Sequence, residues 1–138
     1  MELIFLDTNV ILDYITNRAA FGEDAEAVVE FCRMDGNEGA FSSLSACDAV
    51  YILGRAVGRK HAELFVKQAV AIVGLVTLQA ESVKRNLGEE HPDFEDSVQI
   101  SCAQEWGADV IVTRDKAGFA NSPIKVMTPS ELLDSVEL

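Results

Sequence analysis

Apolar residues along the chain alternate between short continuous runs and longer stretches of helical period. LIFL (residues 3–6), GAF (39–41), LVTL (75–78), DVIVT (109–113) and IKVM (124–127) predict strands. Between them, residues 9–17, 23–36, 44–58, 61–74, 80–90 and 92–107 predict helices, and a last helix is expected over 128–138. Gly36, Gly58, Gly74 and Gly107 close four of these helices, as a residue free to turn left-handed does. Pro92 and the acids after it open the sixth, and Thr128 with Pro129 reads as an N-cap and first helical residue.

Strands separated by helices imply a mostly parallel sheet covered on both faces, because parallel neighbours need a crossover. The chain therefore reads as an α/β protein, with one domain over residues 1–138. In such sheets ligands bind beyond the carboxyl ends of the strands, where the following helices begin. That rule draws attention to IFLDTNVILDYI, where an apolar run ends abruptly in a carboxylate. A buried charge is costly unless it is paired, hydrogen-bonded or bound to a metal. Asp7 follows the first strand and Asp115 follows DVIVT, so both belong at the carboxyl edge. Asp48, Asp93 and Asp96, in the early turns of their helices, belong there too.

Bulk composition narrows the field. A hydrophobic content of 49% suffices for a sizeable core. Cys32, Cys47 and Cys102 lie in apolar patterns without metal-ligand spacing, and read as buried thiols in a reducing compartment. With no leader-like N-terminus and no long apolar window, the expectation is a cytoplasmic protein with no membrane segment. The net charge of −12 argues against a coat protein that binds nucleic acid through a basic surface. Residues 54–86 nevertheless carry six basic side chains against Glu63 and Glu81. Arg55, Arg59 and Lys60 there, with Arg114, are candidate RNA contacts.

A rim of carboxylates repels itself unless a cation neutralises it, and hard divalent ions such as Mg²⁺ or Mn²⁺ take oxygen ligands. Structural roles compete for each acid. Asp93 suits an N-cap with Asp96 three residues on, Ser45 and Asp48 could form a similar pair, and Asp115 could open a turn before KAGF. Asp13 reads as a solvated or structural residue, and His61 and His91 as surface residues rather than ligands. No phosphate-binding loop, nucleophile elbow or Cys/His set is present.

FLDTNVILDYITNRAAF, SSLSACDAVYIL, DFEDSVQISCAQEWGADVIVTRD and SPIKVMTPSELL together resemble the PIN-domain family, whose bacterial members include VapC-like toxins of toxin–antitoxin pairs. The resemblance spans essentially the whole chain in the family's motif order. It implies a three-layer α/β/α fold around a parallel sheet, and a Mg²⁺- or Mn²⁺-dependent ribonuclease leaving a 5′-phosphate and a 3′-hydroxyl. Asp7, Asp96 and Asp115 match the family's first, third and fourth acids, and Thr8, Asn9 and Thr113 its supporting polar residues. Asp48 stands where the family commonly has glutamate, one methylene longer. The resemblance further implies an RNA substrate, a small antitoxin partner and a homodimer; Phe21, Val28 and Phe31 are candidates for an antitoxin groove, against the ordinary reading as core. Two rival readings are a silent PIN-like module that binds RNA or protein, and a metal-dependent phosphatase using Lys116.

Overall fold

The computed structural model describes residues 2–136, with five strands in the order β3-β2-β1-β4-β5. β1 (Glu2–Leu6) is followed by α1 (Thr8–Thr16) and α2 (Gly22–Cys32); β2 (Asn37–Ser42) by α3 (Ser43–Val57) and α4 (Arg59–Ile72); and β3 (Leu75–Val76) by α5 (Ala80–Asn86) and α6 (Phe94–Trp106). β4 (Val110–Val112) leads through a 3-10 turn (Lys116–Phe119) to β5 (Lys125–Met127) and α7 (Pro129–Ser135). Every described strand pairing is parallel.

The central strand shows why both faces must be covered. Successive side chains of a strand point to opposite faces, and Ile4, Phe5 and Leu6 are all fully buried. Ile4 and Leu6 pack with Val110, Val112, Val28 and Leu132, bringing α1, α2 and α7 over one face. Phe5 and Ile111 pack with Ile100, Ala103 and Phe119 under α6 on the other. Ala49, Leu53, Ala62 and Val66 form a satellite core between α3 and α4. From β1 the chain steps outward through β2 and β3, then returns to β4 on the opposite side. The carboxyl ends of β1 and β4 are thus neighbours at the point of reversal, where a crevice opens in such sheets.

Several local expectations change. α2 ends at Cys32, with the Arg33 N–H taken by its last carbonyls, and Gly36 (φ 87°) turns the chain into β2 instead. The N-cap of α3 is Ser42, whose Oγ accepts from the Ser45 N–H at 3.0 Å, so Ser45 and Asp48 are not a capping pair. α5 stops at Asn86, and residues 137–138 of the last expected helix lie outside the described residues. Cys47 is exposed, while Cys32 and Cys102 are buried as expected. Two caps are as read: Asp93 accepts from the Asp96 N–H at 2.9 Å, and Thr128 forms a capping box with Glu131. Among the described residues no helix is long and apolar enough to cross a membrane.

Candidate functional site

Asp7 is the N-cap of α1 as well as the residue that ends β1. Its Oδ1 accepts from the Thr8 N–H at 2.8 Å, and its Oδ2 from Thr113 Oγ1 at 2.8 Å and Asn9 Nδ2 at 3.4 Å. Thr113, fully buried at the end of β4, is the hub. It also accepts from Asn9 Nδ2 at 3.3 Å and from the Asp115 N–H at 3.1 Å. Asn9 Oδ1 accepts from the Arg114 N–H at 3.3 Å. The turn carrying Asp115 is therefore pinned to the start of α1. Asp115 itself opens the 3-10 turn without capping it through its side chain, which leaves the carboxylate free to face outward.

A second polar network joins the remaining elements. Thr8 Oγ1 lies 2.7 Å from Ser45 Oγ; Ser45 Oγ accepts from Gln99 Nε2 at 2.8 Å; and Ser42 Oγ donates to Gln99 Oε1 at 2.7 Å. α1, α3 and α6 are tied together by fully satisfied buried groups, an arrangement that rigidifies when no partner is missing. These three helices carry Thr8 and Asn9, Asp48, and Asp96.

The result is an open cleft of about 510 Å³ lined by Asp7, Thr8, Asn9, Asp48, Asp93, Glu95, Asp96 and Asp115, with Leu12, Tyr51 and Ile52 on its apolar wall. Its lining contains no Lys, Arg or His. Burial pushes the Asp7 carboxyl up against the opposing hydrogen bonds of Thr113 and Thr8, and Asp115 and Asp93 add to the rise. Asp96 is pushed up to about 7, first by burial and then by Asp7, Asp93 and Asp115. Glu95 is pushed up to about 7, first by its hydrogen bond with Asp48 and then by burial. Repulsion among acids is what a bound cation relieves. Among the described residues no three His, Cys, Asp or Glu side chains are gathered closely enough to hold a bare ion as they stand. An all-oxygen donor set around a roomy cleft suits a hard cation that retains several waters, and the residues fit Mg²⁺ or Mn²⁺ on those grounds.

All four expected acids and Thr8, Asn9 and Asp93 line this cleft; Thr113 lies directly behind it. Arg114 turns elsewhere. Its Nε donates to Asp13 Oδ2, its Nη2 to Asp13 Oδ1 at 3.3 Å, and its guanidinium stacks over the Phe21 ring at 4.0 Å. Asp13 is thus a buried, paired residue rather than a solvated one. Lys116 is held by Glu131 at 2.9 and 3.1 Å, so the lysine a phosphatase reading needs is committed to α7. Val28 and Phe31 are core residues, leaving only Phe21 of the proposed groove at the surface. Arg55, Arg59 and Lys60 are exposed at the end of α3 and the start of α4. Sequence reasoning missed Glu95, Tyr51 and Ile52. Tyr51 and Ile52 stand three and four residues after Asp48, a spacing that already placed them on its helix face.

A family model described as PIN domain matches residues 3–117. No curated protein matches the chain. Among solved structures, the DNA-bound VapBC from Salmonella typhimurium is similar over 94% of this chain and 99% of its own, with TM-score 0.68 and 17% identity. A toxin–antitoxin complex from Klebsiella pneumoniae is similar over 91% of this chain and 97% of its own, with TM-score 0.67 and 19% identity. A VapC protein of Mycobacterium tuberculosis, described as a sarcin–ricin loop cleaving toxin, covers 86% of this chain and 94% of its own, with TM-score 0.66 and 14% identity. At these identities the likeness is one of fold.

Proposed function

Since the chain belongs to the PIN domain family, we propose that it is a metal-dependent endoribonuclease and the toxin of a toxin–antitoxin pair. The observation that carries this reading is the convergence of Asp7, Asp48, Asp96 and Asp115, from the β1–α1 junction, α3, α6 and the turn after β4, on one cleft without a cation in its lining. Asp7, Asp96 and Asp115, with Asp48 assisting, would hold Mg²⁺ or Mn²⁺. When bound, such an ion lowers the pKa of a water and neutralises charge developing on a phosphate.

The chain's own residues do the rest. Thr113 and the Thr8 N–H fix both oxygens of Asp7, so its carboxylate is aimed before any ligand arrives. Asn9 and Thr113 hold the Asp115 turn in register with it. Glu95, which lines the same wall as the shorter Asp48, would offer a further oxygen to the hydrated ion there. Arg55, Arg59 and Lys60 supply phosphate contacts on an otherwise acidic chain; Arg114 does not, being taken by Asp13. The Salmonella and Klebsiella neighbours are toxin complexes, which supports a small antitoxin as partner; a homodimer is a further expectation of the family.

A second reading, a silent PIN-like module that binds RNA or protein, is favoured by Asp48 and by the spread of the carboxylates. One experiment separates them. Wild type and Asp7→Asn are incubated with an end-labelled mixed RNA pool in EDTA, Mg²⁺ or Mn²⁺. Metal-dependent cutting that is lost in Asp7→Asn supports the nuclease. A folded wild type that cuts under no metal, and shows no Mn²⁺ uptake by calorimetry, overturns it.

A further inference from the structure

The apolar wall of the cleft is unusual for what it leaves in solvent. Asp48, Tyr51, Ile52 and Arg55 occupy positions i, i+3, i+4 and i+7 of α3, a single face of the helix. Asp48, Tyr51 and Ile52 line the carboxylate cleft, yet Tyr51 is 68% exposed and Ile52 48% exposed. The Arg55 guanidinium lies 6.0 Å from the centre of the Tyr51 ring, and among the described residues Arg55 makes no ion pair. At 1.5 Å of rise per residue, Tyr51 is about 4.5 Å and Arg55 about 10 Å along the axis from Asp48.

We propose that Tyr51 is a stacking platform for an unpaired base beside the bond to be cut, with Arg55 holding the neighbouring phosphate. This rests on the nuclease reading and gives a substrate-positioning role to a residue outside the carboxylate set. The reason is electrostatic. A chain of net charge −12 with a carboxylate cleft repels a polyanion at a distance, so beyond a bound cation and the local basic groups, affinity gains from a contact that does not depend on net field. Stacking of a base on an aromatic ring is such a contact, and a guanidinium beside the ring adds a local positive charge. Bases within a duplex are stacked on one another and present no free face, whereas loops and single strands do. Tyr51 on the cleft wall and Arg55, one turn farther along α3 and outside the lining, offer both contacts side by side.

The probe is a short mixed-sequence single-stranded RNA carrying 2-aminopurine, titrated with the full chain in Ca²⁺ to suppress cutting, alongside cleavage of the same strand and of its duplex in Mn²⁺. Tyr51 is a surface residue, so Tyr51→Leu and Tyr51→Phe should fold, which circular dichroism checks. Wild type and Tyr51→Phe should quench 2-aminopurine. Tyr51→Leu should lose quenching and raise KM about tenfold, with kcat within about twofold. Arg55→Gln should weaken binding and flatten its salt dependence while quenching persists at saturation. Cutting by wild type without quenching, or equal cutting of duplex and single strand, overturns the platform and leaves the nuclease standing. Quenching without cutting does the reverse. Unchanged RNA binding in Tyr51→Leu together with a changed oligomeric state assigns the face to a second copy of the chain and overturns the proposal.

Discussion

The Asp13–Arg114 pair ties α1 to the turn that carries Asp115, and its removal by Asp13→Ala gives a calculable result. Asp13 is 1% exposed on α1. Its partner is 101 residues away in the turn between Thr113 and Asp115 and retains 26% side-chain exposure. Breaking a buried pair by deleting one partner costs about 3–5 kcal/mol, because the other charge is left uncompensated. Arg114 also lines a cavity of about 330 Å³ that water can enter, which puts the expected cost at the low end. About 3 kcal/mol in a chain of this size corresponds to a Tm lower by roughly 10 °C, read by circular dichroism in EDTA. A thermal cycle of Asp13→Leu, Arg114→Met and the double variant tests the coupling: the double, which removes both charges, should recover most of the loss seen in Asp13→Leu. A Tm within about 3 °C of wild type for Asp13→Ala, or strictly additive effects in the cycle, would refute the pairing as a stabilising tie. The same variant should weaken Mn²⁺ binding, since the freed turn carries Asp115.

Three further outcomes follow from the cleft. Asp96 and Glu95 hold protons to about 7 in the folded chain, against 3.8 and 4.5 for ordinary side chains. The folded state therefore binds more protons than the unfolded state between about 4 and 7, so the Tm in EDTA should fall as pH rises through that window and level off above it. Saturating Mn²⁺ should raise Tm more at pH 8 than at pH 5, since a metal competes with those protons; equal shifts would contradict the reading. Gly118→Ala should act on the site more than on the fold. A Cβ there would overlap Asp96 Oδ2 and lie 2.9 Å from its Cγ, so the carboxylate end must move. The expected result is at least a tenfold loss of Mn²⁺ affinity by calorimetry with Tm lower by only a few degrees, and an unchanged affinity would count against it.

What was legible in the sequence was what is local. Asp7, Asp96 and Asp115 could be placed because each sits within three residues of a strand end or helix start whose pattern is plain, and the Thr128 cap was visible for the same reason. Three hydroxyls within four residues at Ser42, Ser43 and Ser45 hid which one caps α3, since an N-cap needs extended backbone that composition does not reveal. Cys47 sits in an apolar pattern but on the outer phase of α3, which only the packing of Ala49 and Leu53 decides. The Asp13–Arg114 tie spans 101 residues, and no periodicity carries information over that distance. Glu95 looked like one acid among several until its neighbour across the cleft proved to be Asp48.

The Thr8–Ser45–Ser42–Gln99 network sets how this domain can change by recombination. Each of its hydroxyls and both ends of the Gln99 amide are partnered across α1, α3 and α6. Replacing Ser42, Ser45 or Gln99 strands another member in the interior, a loss of about 1–3 kcal/mol per orphaned group. A crossover with a distant homologue between residues 45 and 99 would bring together a Ser42/Ser45 half and a Gln99 half that never met. Such chimaeras should accumulate only where the donor supplies the same amide at position 99, or where all of these positions turn apolar at once. The network thus makes the first and last thirds of the chain a single heritable unit, while α4 and α5 stand outside it and are held to their neighbours by other contacts, the Ala49–Leu53–Ala62–Val66 core and the Asn86–Ser101 hydrogen bond.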